Sequence, residues 1–431
     1  MRAAEEHIVQ PCPQCGTEIR GDRRFTVWCT ACDWNVDPQG ADHAKQGRLE
    51  RRRHRLAQRY GERLLGDLTN EAGRLEHERP GRSAAGAMAY AIALLVHGVT
   101  LALLAGGLWL LIGDWGGFGM VPGLFLLGLA ATLRPRLNRL PANAHVVSRG
   151  DAPELYALVD EVAEALGTRS VDVIVLDAQA NAAVTHLGVR RRILTLGLPL
   201  WEVLSPQERI ALLGHEFGHF THGDTRHGMV VGTAYGSLTT WLYYLSPIAN
   251  PTVPEHFVNL LYIPPRWLIT GLVMLLDLLT TRASQRSEYL ADAAAARIGS
   301  TEAAAGLIDH LLIVESIETT LYREVNARYM RSRGRTSTKD AEGLWEALAA
   351  HLRSVPESEH ERRRRVSARR GHSVDATHPP THLRRALLHH LPAMPASVQA
   401  DTERAHRLTT ELTDSRAAVA RKLVRDGLGE R

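Results

Sequence analysis

Ser205-Pro206-Gln207-Glu208-Arg209-Ile210-Ala211-Leu212-Leu213-Gly214-His215-Glu216-Phe217-Gly218-His219 is the stretch on which the reading of this chain turns. Ser205 can cap the free backbone donors of a helix, Pro206 suits its first position, and Glu208 can complete a reciprocal cap. The helix is predicted to run to His222, with Gly223 as its stop. On such a helix His215 and His219 stand one turn apart on one face, so both imidazoles can grip a single zinc from the same side. Glu216 projects beside them, where a carboxylate can take a proton from an attacking water. The alternative is a pair of solvated histidines on an amphipathic helix. The cap and the apolar Ile210, Leu212, Leu213 and Phe217 weigh against it.

A catalytic zinc has three protein ligands and one open position, so a further ligand must come from elsewhere. His222, Asp224, His227 and a later carboxylate are the candidates. Glu288 stands out within Ser287-Glu288-Tyr289-Leu290-Ala291-Asp292, a segment that reads as helix, with Ala291 and Ala293 to Ala296 small enough for close packing. Asp292 lies one turn beyond Glu288 on the same face. From there it can accept a hydrogen bond from a zinc-binding imidazole and fix its tautomer.

The rest of the chain frames this centre. Its 431 residues leave room for two or three units. Net charge is +4 with a pI near 9.0, Arg dominates the basic residues, and Lys occurs only at Lys45, Lys339 and Lys422. An apolar content of 45% and a mean hydropathy of −0.16 exclude a transporter built mostly of membrane helices. The four cysteines form Cys12-x-x-Cys15 and Cys29-x-x-Cys32, a spacing suited to one structural zinc in a ribbon-like unit over 10–36. A unit this short needs the metal to fold, and thiolate ligands place it in a reducing cytosol. Trp28 and Trp34 flank the second pair and are expected to cover it. The first 80 residues are polar and charged, so no cleavable leader is expected. A basic helical linker is assigned to 41–83, where Arg51, Arg52, Arg53, Arg55 and Arg59 suit anionic lipid headgroups better than nucleic acid.

From 84 to 112 no residue is formally charged, and a second apolar run spans 118–133 after the turn Gly113-Asp114-Trp115-Gly116-Gly117. These make a membrane hairpin over 84–137 with Arg on both outer flanks, which puts both ends in the cytoplasm. The first part of the catalytic domain is 138–227, with a helix over 151–166 and strands over 171–176 and 191–196. A second membrane hairpin is expected over 228–281, with a span at 229–248 and a shorter piece at 267–279 after Pro264, Pro265 and Arg266 break the run. The second part of the domain is 282–395, including a mobile Arg-rich loop at 361–370, and a closing C-terminal helix occupies 396–431. The fold expected is mostly α, with a small antiparallel or mixed sheet beside two metal-binding helices and two interrupting membrane hairpins.

The motifs also occur in a definite order. Asn181-Ala182 follows a strand, then come His215-Glu216-x-x-His219, Gly223-Asp224, an apolar insertion, Glu288-x-x-x-Asp292, His378-Pro379-Pro380 and Arg384. Over roughly 85–390 the chain resembles the HtpX and CAAX-prenyl-protease type of integral-membrane gluzincin peptidases. That resemblance implies a zincin-like domain with Glu288 as the third ligand, and Asp292 and Asp224 supporting the ligands. Arg384 would pair with an acid at the site or orient substrate, and His378 would stabilise an oxyanion. Asn181, Ala182 and Ala183 would form the edge that receives a substrate strand, although Ala183 stands where many relatives carry an aromatic. The implied protein is a zinc metalloendopeptidase of a bacterial plasma membrane, with its amino terminus and site cytoplasmic. It would carry one catalytic and one structural zinc and cleave misfolded or membrane-associated polypeptides in quality control. Two rivals stand beside it. One is a catalytically silent membrane scaffold that uses the Cys unit to bind a partner or nucleic acid; the other is a peptidase specific for prenylated carboxyl termini.

Overall fold

The computed structural model describes residues 7–38, 48–70, 84–136, 139–141, 143–188, 190–221, 224–332, 341–370 and 379–426. At the amino terminus β1 (His7–Pro11) and β2 (Glu18–Asp22) form an antiparallel ribbon that leads into the loop of the second Cys pair. Helix α1 (Arg48–Asn70) follows. It is more than a linker, because Leu64 and Leu68 are buried against the helices that carry Tyr289, Leu383 and Leu387.

Helices α2 (Ala84–Gly113) and α3 (Met120–Leu133) pack together as a hairpin. The connecting turn closes on Asp114, whose Oδ2 accepts from Gly119 N at 2.6 Å. The helices touch where Gly107 faces Gly123; a Cβ on Gly123 would lie 3.0 Å from the Gly107 carbonyl oxygen. Small residues of this kind let helix backbones approach closely.

The largest hydrophobic core is built on a four-stranded mixed sheet. β3 (His145–Val147), β4 (Val173–Asp177), β5 (Ala182–Leu187) and β6 (Arg191–Gly197) lie in the order β3-β4-β6-β5, with β4 and β6 parallel and the other pairs antiparallel. β5 is therefore an edge strand. Helix α4 (Pro153–Ala165) buries Leu155, Leu158, Val159 and Val162 in the same core as Ile174, Leu176, Leu194 and Leu196 of the sheet. Gly197 closes the turn into β5: a Cβ there would lie 1.8 Å from Gln179 O, and Gly197 N donates to Asn181 O at 2.8 Å.

After α5 (Leu198–Val203), helix α6 (Pro206–Thr221) begins with the reciprocal cap anticipated from its sequence. Ser205 N donates to Glu208 Oε2 at 2.7 Å, and Glu208 N donates to Ser205 Oγ at 3.3 Å. α7 (Asp224–Tyr244) and α8 (Val253–Gly299) come next. The expected break at Pro264-Pro265 does not occur, and α8 runs through both prolines. Pro costs a helix its local N–H donor, but flanking packing holds this run: Ile269 and Leu276 are buried with Ala93, Ala234 and Leu238 of α2 and α7. Arg266 also donates to the carbonyls of Leu242 and Leu245 near the end of α7. Among the described residues, α2 and α8 are the two helices long and apolar enough to cross a membrane; α3 is a shorter apolar helix. The span expected at 229–248 falls in α7, which is not one of the two.

The remaining described elements are all helices: α9 (Thr301–Leu312), α10 (Val314–Ser332), α11 (Leu344–Arg353), α12 (Glu357–Arg370), α13 (Thr381–His390), α14 (Thr402–Glu411) and α15 (Thr413–Asp426). The mobile loop expected at 361–370 is instead part of α12. Its Glu and Arg residues pair at helical spacing, Glu359 with Arg362 and Arg363, and Glu361 with Arg364 and Arg365, which favours a helix. The single closing helix is two, because a bend at Leu412 lets Leu408, Leu412, Val419 and Leu423 all reach the core.

Candidate metal centre and active site

Two helices from distant parts of the chain supply the centre, and glycine and alanine bring them together. Gly214 and Gly218 lie one turn apart on α6 and face α8. A Cβ on Gly218 would lie 2.9 Å from Ala291 Cα, and one on Gly214 3.2 Å from Ala295 Cα. This contact at backbone distance sets the His-bearing face of α6 against the Glu288 turn of α8.

His215 Nε2 lies 3.6 Å from Glu288 Oε2, and His219 Nε2 lies 3.6 Å from Glu288 Oε1. The two imidazole rings stand nearly perpendicular, with centroids 5.0 Å apart. One ligand atom from each of His215, His219 and Glu288 can be chosen so that all lie within 4.8 Å of one another. Ligand atoms held about 2.0–2.1 Å from a tetrahedral zinc sit ~3.4 Å apart. The set therefore fits such an ion and leaves a fourth position open.

Asp292, one turn past Glu288, orients this set. Its Oδ1 is 3.0 Å from His215 Nδ1, so the ring can donate to the carboxylate and keep its Nε2 lone pair for a metal. Arg384 of α13 grips the same carboxylate with two bonds, Nε to Oδ2 at 2.8 Å and Nη2 to Oδ1 at 2.7 Å, while its Nη1 is 3.5 Å from Glu288 Oε2. Burial opposes charge on Asp292, but the charge and hydrogen bonds of Arg384 overcome it and hold the carboxyl well below its usual range. Burial likewise opposes a charged His215 ring. The hydrogen bond to Asp292 and the nearby carboxylates outweigh burial and the Arg384 charge, so its pKa is raised.

Glu216 is buried on α6 beside the two histidines, and its Oε2 accepts from Val184 N at 3.1 Å. That N–H leaves β5 on the side away from β6, so the edge strand points at the candidate base. Asn181 and Ala182 enter this strand, and Ala183 is half-buried within it. Two partners escaped sequence reasoning: Ser287 Oγ, 3.3 Å from His219 Nδ1, and the Val184 amide. Ser287 adjoins Glu288 in the chain and was available as a signal, whereas the contact of β5 with α6 was not. His378, His222 and the side chain of Asp224 lie outside the described residues. The four cysteines converge at a separate place, at the tip of the amino-terminal unit.

Comparison with known proteins agrees with this geometry. The family model for peptidase family M48 matches residues 150–391. A Protease HtpX homolog of Methanothermobacter thermautotrophicus is 34% identical over 137 residues, 30% of this chain and 46% of that protein. A Protease HtpX homolog of Pyrobaculum calidifontis is 27% identical over 256 residues, 58% of this chain and 71% of that protein. Protease HtpX of Pseudomonas putida is 25% identical over 172 residues, 38% of this chain and 57% of that protein. The chain spans about half the length of the first of these relatives. No solved structure matches it. With the matched region covering β4, β5 and β6 of the sheet, α6, the Glu288 turn and Arg384, the chain belongs to peptidase family M48.

Proposed function

We propose that this protein is a membrane-bound zinc-dependent endopeptidase in which His215, His219 and Glu288 hold the metal and Glu216 is the general base. The observation that carries the proposal is the convergence of these three donors, with Glu216 beside them and an open strand edge in front. When bound, zinc supplies Lewis acidity toward a water and a scissile carbonyl. Glu216 accepts the proton of the attacking water and returns it to the leaving amine, while Asp292 and Arg384 keep His215 in one tautomer and orientation. A substrate strand lying along β5 is held through backbone hydrogen bonds, a recognition mode that reads little sequence and favours extended or unfolded segments. Cleavage of misfolded or membrane-associated polypeptides follows from that mode.

The membrane reading is supported by α2 and α8, which expose Leu101, Trp109, Leu261 and Trp267 over long apolar surfaces. The Arg flanks of the α2–α3 hairpin favour a cytoplasmic site. α8 itself runs from that apolar surface into the Glu288 turn, so one continuous helix would join the bilayer to the metal centre. The test compares purified protein with Glu216→Gln on an unfolded polypeptide in the presence of zinc. Cleavage by the parent alone is expected; equal cleavage by the two would remove the proposal.

A further inference from the structure

The peptidase reading leaves the amino-terminal unit without a task. Its four sulfurs meet at one point, with Cys12 Sγ 3.6 Å from Cys32 Sγ and Cys15 Sγ 3.6 Å from Cys29 Sγ. Thiolates held about 2.3 Å from one zinc lie ~3.8 Å apart in a tetrahedron, whereas a disulfide would bring a pair to about 2.05 Å. The two Cys pairs turn alike. Gly16 N donates to Cys12 O and Asp33 N to Cys29 O, each at 2.9 Å, and Gly16 and Asp33 both adopt left-handed backbone, with φ of 75° and 59°. Two matched turns presenting four convergent thiols form a built metal site.

The loop folded around the second pair docks on α12. Trp28 and Val36 bury against Val366, and Trp28 Nε1 donates to Ser358 O at 3.2 Å. Arg362 donates to Val36 O at 2.8 Å. Arg365 donates to Thr30 O at 2.7 Å and to Asp33 Oδ1 at 2.6 Å, and Arg369 reaches Asp33 Oδ2 at 2.5 Å. The Arg residues of α12, expected from sequence to lie in a mobile loop, are thus engaged inside the molecule. α12 is in turn tied toward the metal centre. Asp309 of α9 accepts from Arg364 of α12 at 3.0 Å and from Arg385 of α13 at 2.7 Å, and Arg385 adjoins Arg384.

We propose that Cys12, Cys15, Cys29 and Cys32 bind a second zinc ion whose task is internal: it folds the loop that clamps α12, and through Asp309 and α13 positions Arg384 on Asp292. The inference rests on the peptidase reading only for the role of Arg384. The unit is then a positioning element of the peptidase domain and not a docking module for another macromolecule.

The test uses the full chain in detergent with zinc, and reads zinc per chain together with amide hydrogen exchange. Relative to the parent, Cys12→Ser/Cys29→Ser is expected to lose one zinc, and exchange in 357–370 and 381–390 should quicken at least about tenfold. Asp33→Lys is expected to keep the zinc yet show the same faster exchange. It decides the matter if the Cys variant does not fold. His215→Ala should lose a different equivalent of zinc and leave exchange in 357–370 at the parent rate, so failure of the peptidase reading is seen separately. Unchanged zinc in the Cys variant would overturn the proposal. So would zinc loss with 357–370 exchanging as in the parent, or parental exchange in Asp33→Lys.

Discussion

Glu216, Asp292 and Arg384 are buried together with His215 and Glu288, and the proposed mechanism gives each a separable task. General-base catalysis contributes about 10²–10⁴-fold, so Glu216→Gln should lower kcat by that order while zinc content stays at the parent value. Asp292→Asn leaves the His215 ring without its carboxylate acceptor; zinc affinity should fall about 10–100-fold, read by competition with a chelator. Arg384→Met strands the buried Asp292 carboxylate, and breaking a buried pair on one side costs about 3–5 kcal/mol, read from denaturant unfolding. The pH dependence has a definite sign. The folded Asp292 pKa is depressed below an unfolded value of about 3.9, so its stabilisation is complete above that pH and fades as pH falls through the folded value. In metal-free protein the stability gap between the parent and Asp292→Asn should therefore narrow below about pH 4; a gap that widens on acidification would contradict the assignment.

At the scale of elements, the contact of α6 with α8 decides whether the donors meet. Adding Cβ and methyl groups where 2.9 Å separates them from Ala291 Cα forces the helices apart. Gly218→Val should cost about 1–3 kcal/mol and weaken zinc binding, whereas the same change at Gly232, which has nothing within 4 Å, should do neither. This contact also shows what the sequence revealed. Elements specified by local chemistry were legible: the Ser205–Glu208 cap, the apolar periodicity of α4, the β-branched runs of β4 and β6, and the alanines after Glu288. Elements specified by distant partners were not. α12 carries Glu–Arg pairs at helical spacing that were there to be read, but its docking partners Asp33 and Val36 lie more than 300 positions away. α8 reads as broken at Pro264-Pro265 until its packing on α2 and α7 is seen to keep the helix continuous. The Val184 amide had no local signal, because its partner Glu216 lies across a gap between strand and helix.

At the scale of the whole molecule, α8 joins an apolar helical surface to the core that carries the candidate metal centre. Large side chains on that surface, Trp109 at 75% and Trp267 at 76% exposure, form the kind of exposed apolar face that marks a membrane or protein-contact site. The protein should stay in the membrane pellet after an alkaline carbonate wash; release into the supernatant would contradict the bilayer assignment. The proposed activity depends on one ion held between α6 and α8. The direct measurement is an anomalous difference map at the zinc absorption edge from crystals of the full chain equilibrated with zinc. The account predicts a peak about 2.0–2.2 Å from His215 Nε2, His219 Nε2 and a Glu288 oxygen. A map with no peak there, or one in which the Glu288 carboxylate stands beyond coordinating distance of the ion, would contradict it.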